Sequence, residues 1–470
     1  MKFLFVGCAV LAMFMGVATS QAGQERPNIV FIYADDWGWG DLSCHGNTWL
    51  KTPNLDRLFS EGTEFSQFNV MNPVCSASRA ALMTGRYPAR YSIHQHFASP
   101  KLNRRMNMPD WLDPNAPTLA RFLQQAGYRT GHFGKWHLTN GQTWGAPLPE
   151  AYGYDENSVF NGGAGWPAEG LHDTASDTID FIKASQGKPF FVNVWIHESH
   201  TPHRPTAESM KRFEHLDEQH QVYAAVIADG DNQVGQILDA LKAMGLEENT
   251  LVIFSSDNGP EVTGKTKDVE RNAHGYGTYY SVGETGGLRG QKRSLFEGGV
   301  RVPFSVRWPG HALAGLKNET TVLSTVDILS TLCAAAGVPL PTDYQSDGEN
   351  LLSAFNGELV KRTRPLFWEW RGYAGTHDLW PGLAVRDGEW KLMTTYDGKR
   401  VELHRIPADR AEAEDLSDQY PEVVSRLKKR AFEWNATLPQ KPDPACISAT
   451  RSESLERAQS PQGFSASVEK

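Results

Sequence analysis

A single thiol stands among small residues in Cys75-Ser76-Ala77-Ser78-Arg79, with an arginine four positions after it. The run goes on through Ala80-Ala81-Leu82-Met83 to Thr84-Gly85-Arg86, so a second guanidinium follows at a turn. A lone cysteine among alanines is ordinarily a small buried hydrophobe; the arginine and the Thr-Gly-Arg turn make this one a candidate reactive group. Two further clusters carry acids. Asp35-Asp36 closes the apolar run Pro27-Asn28-Ile29-Val30-Phe31-Ile32-Tyr33-Ala34, and Asp257-Asn258-Gly259 follows the apolar run from Thr250 to Ser255. Adjacent acids are common on surfaces, and Asp-Asn-Gly alone is a common turn. Two such sets at strand ends make a case for a hard cation such as calcium, which takes carboxylate and amide oxygens in flexible geometry. Lys135 and His137, in Gly134-Lys135-Trp136-His137, are unremarkable taken alone.

The elements that must hold these groups are legible. Continuous apolar runs at Pro27–Ala34, Pro189–Ile196 and Thr250–Ser255 fit strands buried on both faces of an α/β sheet. Pro53-Asn54-Leu55-Asp56-Arg57-Leu58 opens a helix with Leu55 and Leu58 on one face and Gly62 as its stop. Thr118 to Gly127 repeats that logic, and Tyr128-Arg129-Thr130-Gly131-His132-Phe133 reads as the next strand. Polar residues fall after the strands again and again, as in His197-Glu198-Ser199-His200, and open α/β sheets bind ligands beyond the carboxyl ends of their strands. From about Arg364 the texture changes to short strands with turns: Phe367–Trp370, Leu383–Met393 about the Asp387-Gly388 hairpin signal, and Val401–His404. A helix from Pro421 to Trp434 follows, and beyond Pro439 the composition predicts a loose tail.

A chain of 470 residues exceeds what one hydrophobic core supports, so more than one domain is expected. The expected boundaries are 1–22 for a signal peptide, 23–363 for a catalytic domain, 364–440 for a smaller α+β subdomain and 441–470 for the tail. Lys2, the apolar run Phe3–Val17 and the small residues to Ala22 have the form of a secretory signal, too short to span a membrane. A secreted or periplasmic protein with no membrane span after cleavage is expected. The net charge of −9 and the lack of a Lys/Arg-rich run argue against a nucleic-acid partner. Removal of Cys8 with the signal leaves Cys44, Cys75, Cys333 and Cys446, too few and too scattered for a disulfide framework; Cys333, in the helical run Val326–Ala336, is expected in a core.

The run from Cys75 to Arg86 closely resembles the signature of type I sulfatases of the alkaline phosphatase-like superfamily: Cys-x-Pro/Ala-Ser-Arg, then Leu-x-Thr-Gly-Arg. The resemblance implies an α/β fold with a large mixed sheet flanked by helices, and a smaller C-terminal antiparallel sheet plus helix. It implies oxidation of Cys75 to formylglycine (3-oxoalanine) by a formylglycine-generating maturation enzyme, the aldehyde hydrate being the nucleophile. It assigns Asp35, Asp36, Asp257 and Asn258 to Ca²⁺, with an oxygen of the modified Cys75 completing the shell. Arg79 then orients the nucleophile, Lys135 binds sulfate, and His137 meets the formylglycine hydroxyl. His200, in a His-x-Pro segment after an apolar strand, meets the bridging ester oxygen. Lys292, ahead of Glu297-Gly298-Gly299-Val300-Arg301-Val302-Pro303, binds sulfate. The Glu-Gly-Gly half agrees with the family and is expected to serve structure through an ion pair and a tight turn. Two departures stand out. Ala77 replaces the proline of many members, and Gln291 and Arg293-Ser294 flank Lys292 unlike the usual pattern.

The expected function is a secreted sulfatase acting on a sulfated small molecule or, better matched by export and tryptophan content, a sulfated glycan. A phosphodiesterase or phosphonate-ester hydrolase of the same fold is one alternative; a non-catalytic protein that binds sulfated glycans is another. Trp37, Trp39, His94, His96, His274 and Arg289 are candidate sugar contacts, with packing favoured for the tryptophans. His203 has no assigned role.

Overall fold

β1 (Asn28–Ala34) is buried at every position, and its alternation divides two cores. Ile29, Phe31 and Tyr33 enter one apolar cluster, whereas Val30, Ile32 and Ala34 enter the other, as a two-residue repeat requires. The structure is a computed structural model and describes residues 26–161, 173–185, 187–264, 271–272, 275–372 and 380–451. The expected signal peptide at 1–22 and His274 lie outside the described residues.

The large sheet adds β2 (Thr63–Phe65), β3 (Arg129–Lys135), β4 (Glu156–Phe160), β5 (Phe190–Trp195), β6 (Thr250–Ser256), β7 (Phe304–Arg307) and β8 (Leu316–Asn318). Its eight strands run in the order β8-β2-β7-β6-β1-β5-β3-β4. All neighbours are parallel except at β7, which is antiparallel to both β2 and β6, so the sheet is mixed. On one face lie α1 (Pro53–Glu61), which starts on a proline and stops at Gly62, α4 (Thr174–Ala184) and the long α5 (Glu218–Ala243). On the other lie α2 (Cys75–Thr84), α3 (Leu119–Gln125) and α6 (Thr325–Ala335). Cys333 is in the core through α6, as expected.

The second sheet is a meander of β9 (Leu366–Glu369), β10 (Leu383–Asp387), β11 (Trp390–Thr394) and β12 (Val401–Arg405), each antiparallel to the next. Gly388, at φ 62°, turns the hairpin between β10 and β11, a conformation glycine adopts freely. α7 (Pro421–Ala436) lays Leu427 and Ala431 on Val385, Leu392 and Leu403. Part of the stretch expected as a loose tail is docked: Asp110 N–H donates to the Cys446 carbonyl at 2.8 Å, Ser448 N–H donates to Asp110 Oδ2 at 2.8 Å, and Arg451 pairs with Asp110 at 3.1 Å. Residues beyond 451 lie outside the described set.

Candidate active site

β3, β5, β1 and β6 lie side by side and parallel, so whatever follows them in sequence converges at one edge. The register pairs Ala34 with Ser256 and Gly134 with Trp195. That alone brings Asp35-Asp36, Asp257-Asn258, Lys135 and the His197–His200 segment together. Asp36 takes φ 64°, a left-handed geometry that aspartate tolerates better than most residues. Its N–H donates to Asp257 Oδ1 at 3.2 Å, and Trp37 N–H donates to Ser256 Oγ at 2.9 Å, fixing the turn.

Cys75 is the first residue of α2, whose residues are all buried and largely small, and Tyr33 bonds Ser78 at 3.0 Å to tie this helix to β1. The helix therefore presents Cys75 at its N-terminal end, where the backbone dipole favours negative charge. Arg79, one turn on, points at the acids. Its Nη2 is 2.6 Å from Asp257 Oδ2 and 3.4 Å from Asp35 Oδ1.

The other cations close the ring. Lys135 Nζ is 2.5 Å from Asp35 Oδ2 and 3.7 Å from Cys75 Sγ, which itself lies 3.6 Å from Asp35 Oδ1. Lys292 Nζ is 2.5 Å from Asp36 Oδ2 and 3.8 Å from Glu261. Asp35, Asp36, Asp257, Arg79, Lys135 and Lys292 are all buried, and charges out of water persist only when paired. Burial raises Asp35, but Lys135 above all, with the His197 hydrogen bond and Arg79, outweighs it and holds its carboxyl well below the usual range. Burial would discharge Lys292, and Asp36 reverses the direction, so its ammonium is held charged.

The imidazoles sit at the mouth. A cleft of about 420 Å³ is lined by Cys75, His96, His137, His200, Lys292 and Arg293, with other residues. His137 Nε2 bonds the Phe97 carbonyl at 3.1 Å, and its buried Nδ1 has no partner among the described residues. His200 Nδ1 bonds the Thr201 carbonyl at 2.7 Å, which leaves Nε2 facing Asp36 Oδ2 at 4.0 Å. Burial, then Lys135, lowers His200 to about 3, and burial holds His137 well below its usual value; both rings are neutral at pH 7.

All ten sequence-predicted site residues thus lie at one end of the large sheet. Two neighbours were not among them. His197 Nδ1 is 2.5 Å from Asp35 Oδ2, and its ring stacks on His200 with centroids 4.8 Å apart. Glu261 bonds Arg293 at 2.6 Å beside Lys292. His197 shares the post-strand segment that drew attention to His200, which was the available signal. Of the candidate sugar contacts, His96 lines the cleft. Trp37 and Trp39 are buried, His94 is buried against Glu369 at 2.5 Å, and Arg289 is paired to Glu402 at 2.7 Å. His203 is a packing residue, its Nε2 3.1 Å from Ser281 Oγ and its ring edge-on to Tyr223.

The acids fit a hard cation. Asp35, Asp36 and Asp257 supply carboxylate oxygens, and Asn258 Oδ1 is buried with no protein partner among the described residues. One ligand atom each from Asp35, Cys75 and Asp257 falls within 4.8 Å of the others, as does one each from Asp35, His197 and His200. An all-oxygen set of acids and an amide is what Ca²⁺ selects.

Comparison with known proteins shows the family. The family model described as Sulfatase matches residues 27–338, and the one described as N-sulphoglucosamine sulphohydrolase, C-terminal, matches residues 283–437. The second match begins ahead of Lys292, so that lysine shares a matched segment with the C-terminal sheet. Human arylsulfatase A is 32% identical over 81% of this chain and 77% of its own, and human N-acetylgalactosamine-6-sulfatase is 31% identical over 88% and 86%. N-acetylgalactosamine-6-O-sulfatase of Bacteroides thetaiotaomicron is 26% identical over 86% and 92%. Among solved structures, Ps i-CgsB in complex with k-i-k-neocarrahexaose superposes with a TM-score of 0.75 at 25% identity, over 92% of this chain and 97% of that one. The chain belongs to the sulfatase family, with the alkaline phosphatase-like fold, and is a sulfuric ester hydrolase.

Proposed function

We propose that the protein is an exported sulfatase that hydrolyses a sulfate ester on a carbohydrate, using a formylglycine made from Cys75 and a calcium ion held by Asp35, Asp36, Asp257 and Asn258. The observation that carries this reading is the charge balance around Cys75. Three buried carboxylates face three buried cations, Arg79, Lys135 and Lys292, and burial raises Asp257 to about 7, so the protein groups alone carry no excess of negative charge. A divalent cation adds two positive charges, the amount needed to match a sulfate monoester anion together with an ionised nucleophile. A site built this way stabilises charge that develops in the transition state.

Formylglycine at position 75 would supply, as its hydrate, two hydroxyls for attack and release, and a calcium ion held by Asp35, Asp36, Asp257 and Asn258 would supply positive charge. The chain's own groups do the rest. Lys135, within reach of both Asp35 and Cys75, and Lys292 hold sulfate oxygens. Arg79 is fixed by Asp257 and orients the nucleophile. The leaving alkoxide needs a proton, and Lys292, held charged by Asp36, carries one at the wall of the cleft. In the substrate complex, where the bound ester adds negative charge, His200 takes that proton from Lys292 at its cleft-facing Nε2 and gives it to the bridging oxygen. His137, neutral and with no Nδ1 partner among the described residues, accepts the proton of the second hydroxyl.

The carbohydrate assignment draws on relatives named N-acetylgalactosamine-6-O-sulfatase and N-acetylgalactosamine-6-sulfatase and on the k-i-k-neocarrahexaose complex of a structural neighbour. Export draws on the N-terminal sequence; among the described residues no helix is long and apolar enough to cross a membrane. The maturation enzyme is the partner required at Cys75, and the boundary near residue 364 separates a catalytic domain from a smaller subdomain. The test is sulfate release from sulfated sugars, an aryl sulfate and an aryl phosphodiester by the matured protein and by Cys75→Ala. Turnover of a sulfated sugar that vanishes in Cys75→Ala supports the reading. Faster turnover of the phosphodiester than of any sulfate overturns it.

A further inference from the structure

Lys292 lies in a loop with little regular structure; the nearest element is a single turn at Glu297–Val300. Its Nζ must nevertheless be held within hydrogen-bonding distance of Asp36. The loop is closed at its base, where Gly298 N–H donates to the Arg289 carbonyl at 2.7 Å. A Cβ on Gly298 would come 2.3 Å from the Gly290 carbonyl oxygen, and one on Gly299 would come 2.0 Å from that of Ser294. No side chain fits at either position, so the base closes only with the two glycines. At the tip, Lys292 N–H donates to the Pro260 carbonyl at 3.1 Å.

Both sides of that base are bolted to the C-terminal subdomain. Arg289 Nη1 bonds Glu402 Oε2 on β12 at 2.7 Å and the Glu412 carbonyl at 3.1 Å, while its guanidinium lies 3.8 Å over the Phe296 ring. Glu297 Oε1 is 2.8 Å from Lys391 Nζ on β11, and Lys391 reaches Glu412 Oε1 at 2.9 Å; all three side chains are fully buried. Glu297 N–H donates to Glu412 Oε2 at 2.6 Å, and Arg301 completes the group 3.5 Å from Glu297. A buried ion network is weak evidence of stability as such, and its best-attested use is to fix one geometry. This network joins the Lys292 loop to the second sheet. Neither Arg289 nor Lys391 lines the cleft.

We infer that Arg289 and Lys391 are positioning residues, through which the C-terminal sheet sets the placement of Lys292 on the substrate's sulfate. The inference rests on the proposed contact between Lys292 and sulfate, and the experiment separates the two. Arg289 is the residue to change, because its side chain is 36% exposed, whereas Lys391→Met strands two buried acids and threatens the fold. In the matured, calcium-loaded full chain, Arg289→Gln is expected to weaken inorganic sulfate binding, read by calorimetry, and kcat/KM for an aryl sulfate, each by about tenfold. The melting temperature is expected to change little. In a Lys292→Ala background the same change is expected to cost nothing further, because residues acting through one group are not additive. Glu402→Gln breaks the bridge from the other side and is expected to reproduce the loss should Arg289→Gln fail to fold. If Lys292→Ala weakens sulfate binding while Arg289→Gln and Glu402→Gln leave it intact, the positioning inference is overturned. A full effect of Arg289→Gln retained in the Lys292→Ala background overturns it equally. If Lys292→Ala itself binds sulfate as the parent does, the role of Lys292 is what fails.

Discussion

Asn258 donates an Nδ2 hydrogen to Asp36 Oδ1 at 2.7 Å, and the same amide keeps its Oδ1 buried and without a protein partner among the described residues. One side-chain amide therefore bonds a neighbouring acid and offers a desolvated oxygen beside it. An orphaned buried acceptor is costly, and a cation removes that cost. Calcium is accordingly expected to raise the melting temperature, and a chelator to lower it and abolish turnover. A hundredfold excess over Kd corresponds to about 2.7 kcal/mol of stabilisation. Asn258→Leu should lose most of the calcium-dependent shift, which differential scanning fluorimetry with and without the ion measures.

The thiol of unconverted Cys75 should be inert in the folded chain. Burial pushes it up to about 12, with Lys135 pulling down and Asp35 pushing up. With a chelator present at pH 8, alkylation of Cys75 is expected to be roughly a thousandfold slower than in denaturant, since only the thiolate reacts. Peptide mass spectrometry after timed iodoacetamide treatment reads this directly. Equal rates in both states would show that burial does not hold the folded thiol protonated.

Lys135 bonds Asp35 and approaches Cys75, so its loss should damage catalysis beyond what its charge alone implies. Lys135→Met is expected to lower kcat/KM by about 100- to 1000-fold, the range for deleting one preorganised donor. It also leaves Asp35 with fewer partners in a buried site, so a lower melting temperature accompanies the loss. Lys135→Arg should restore part of the stability and little of the rate, because the planar fork does not reproduce a point charge. Steady-state kinetics and thermal melts of both variants check the pair of outcomes.

Acid stability should carry the mark of a different buried pair. Burial raises Glu369, but His94 and Arg371 outweigh it and hold its carboxyl down at about 2, against the usual 4.5. A depressed carboxylate stabilises the fold above its unfolded value, and that contribution is lost as pH falls through the folded one. The loss therefore falls between pH 4.5 and about 2 and amounts to about 3 kcal/mol. His94→Gln should lower stability at pH 7 and shrink this acid limb. Urea midpoints measured against pH test it, and parallel curves for parent and variant would contradict it.

Much of the fold was written locally. β1, β5 and β6 announce themselves as apolar runs, α1 by Pro53 and Gly62, and the hairpin by Asp387-Gly388. The reversal of β7 was not legible, since strand direction depends on how distant segments pair and not on the content of Phe304–Arg307. The site followed the same division. Groups directly after strands were visible once the strands were placed. The bond from His197 to Asp35 joins residues far apart in sequence and emerges only from the parallel pairing of β1 with β5. Arg289 looked like a pocket residue because it is a cation near a motif, yet its partner Glu402 belongs to the other sheet. Residues 443–451 looked loose for want of periodicity, and long-range bonds to Asp110 and Met108 hold them.

The most direct test of the central claim is a mass spectrum of the peptide containing Cys75, from protein made with a formylglycine-generating enzyme that accepts alanine at position 77. The account predicts the mass deficit for exchange of CH₂SH by CHO, and sulfate-releasing activity that rises in proportion to the converted fraction. Full activity from protein in which Cys75 remains a thiol would contradict it.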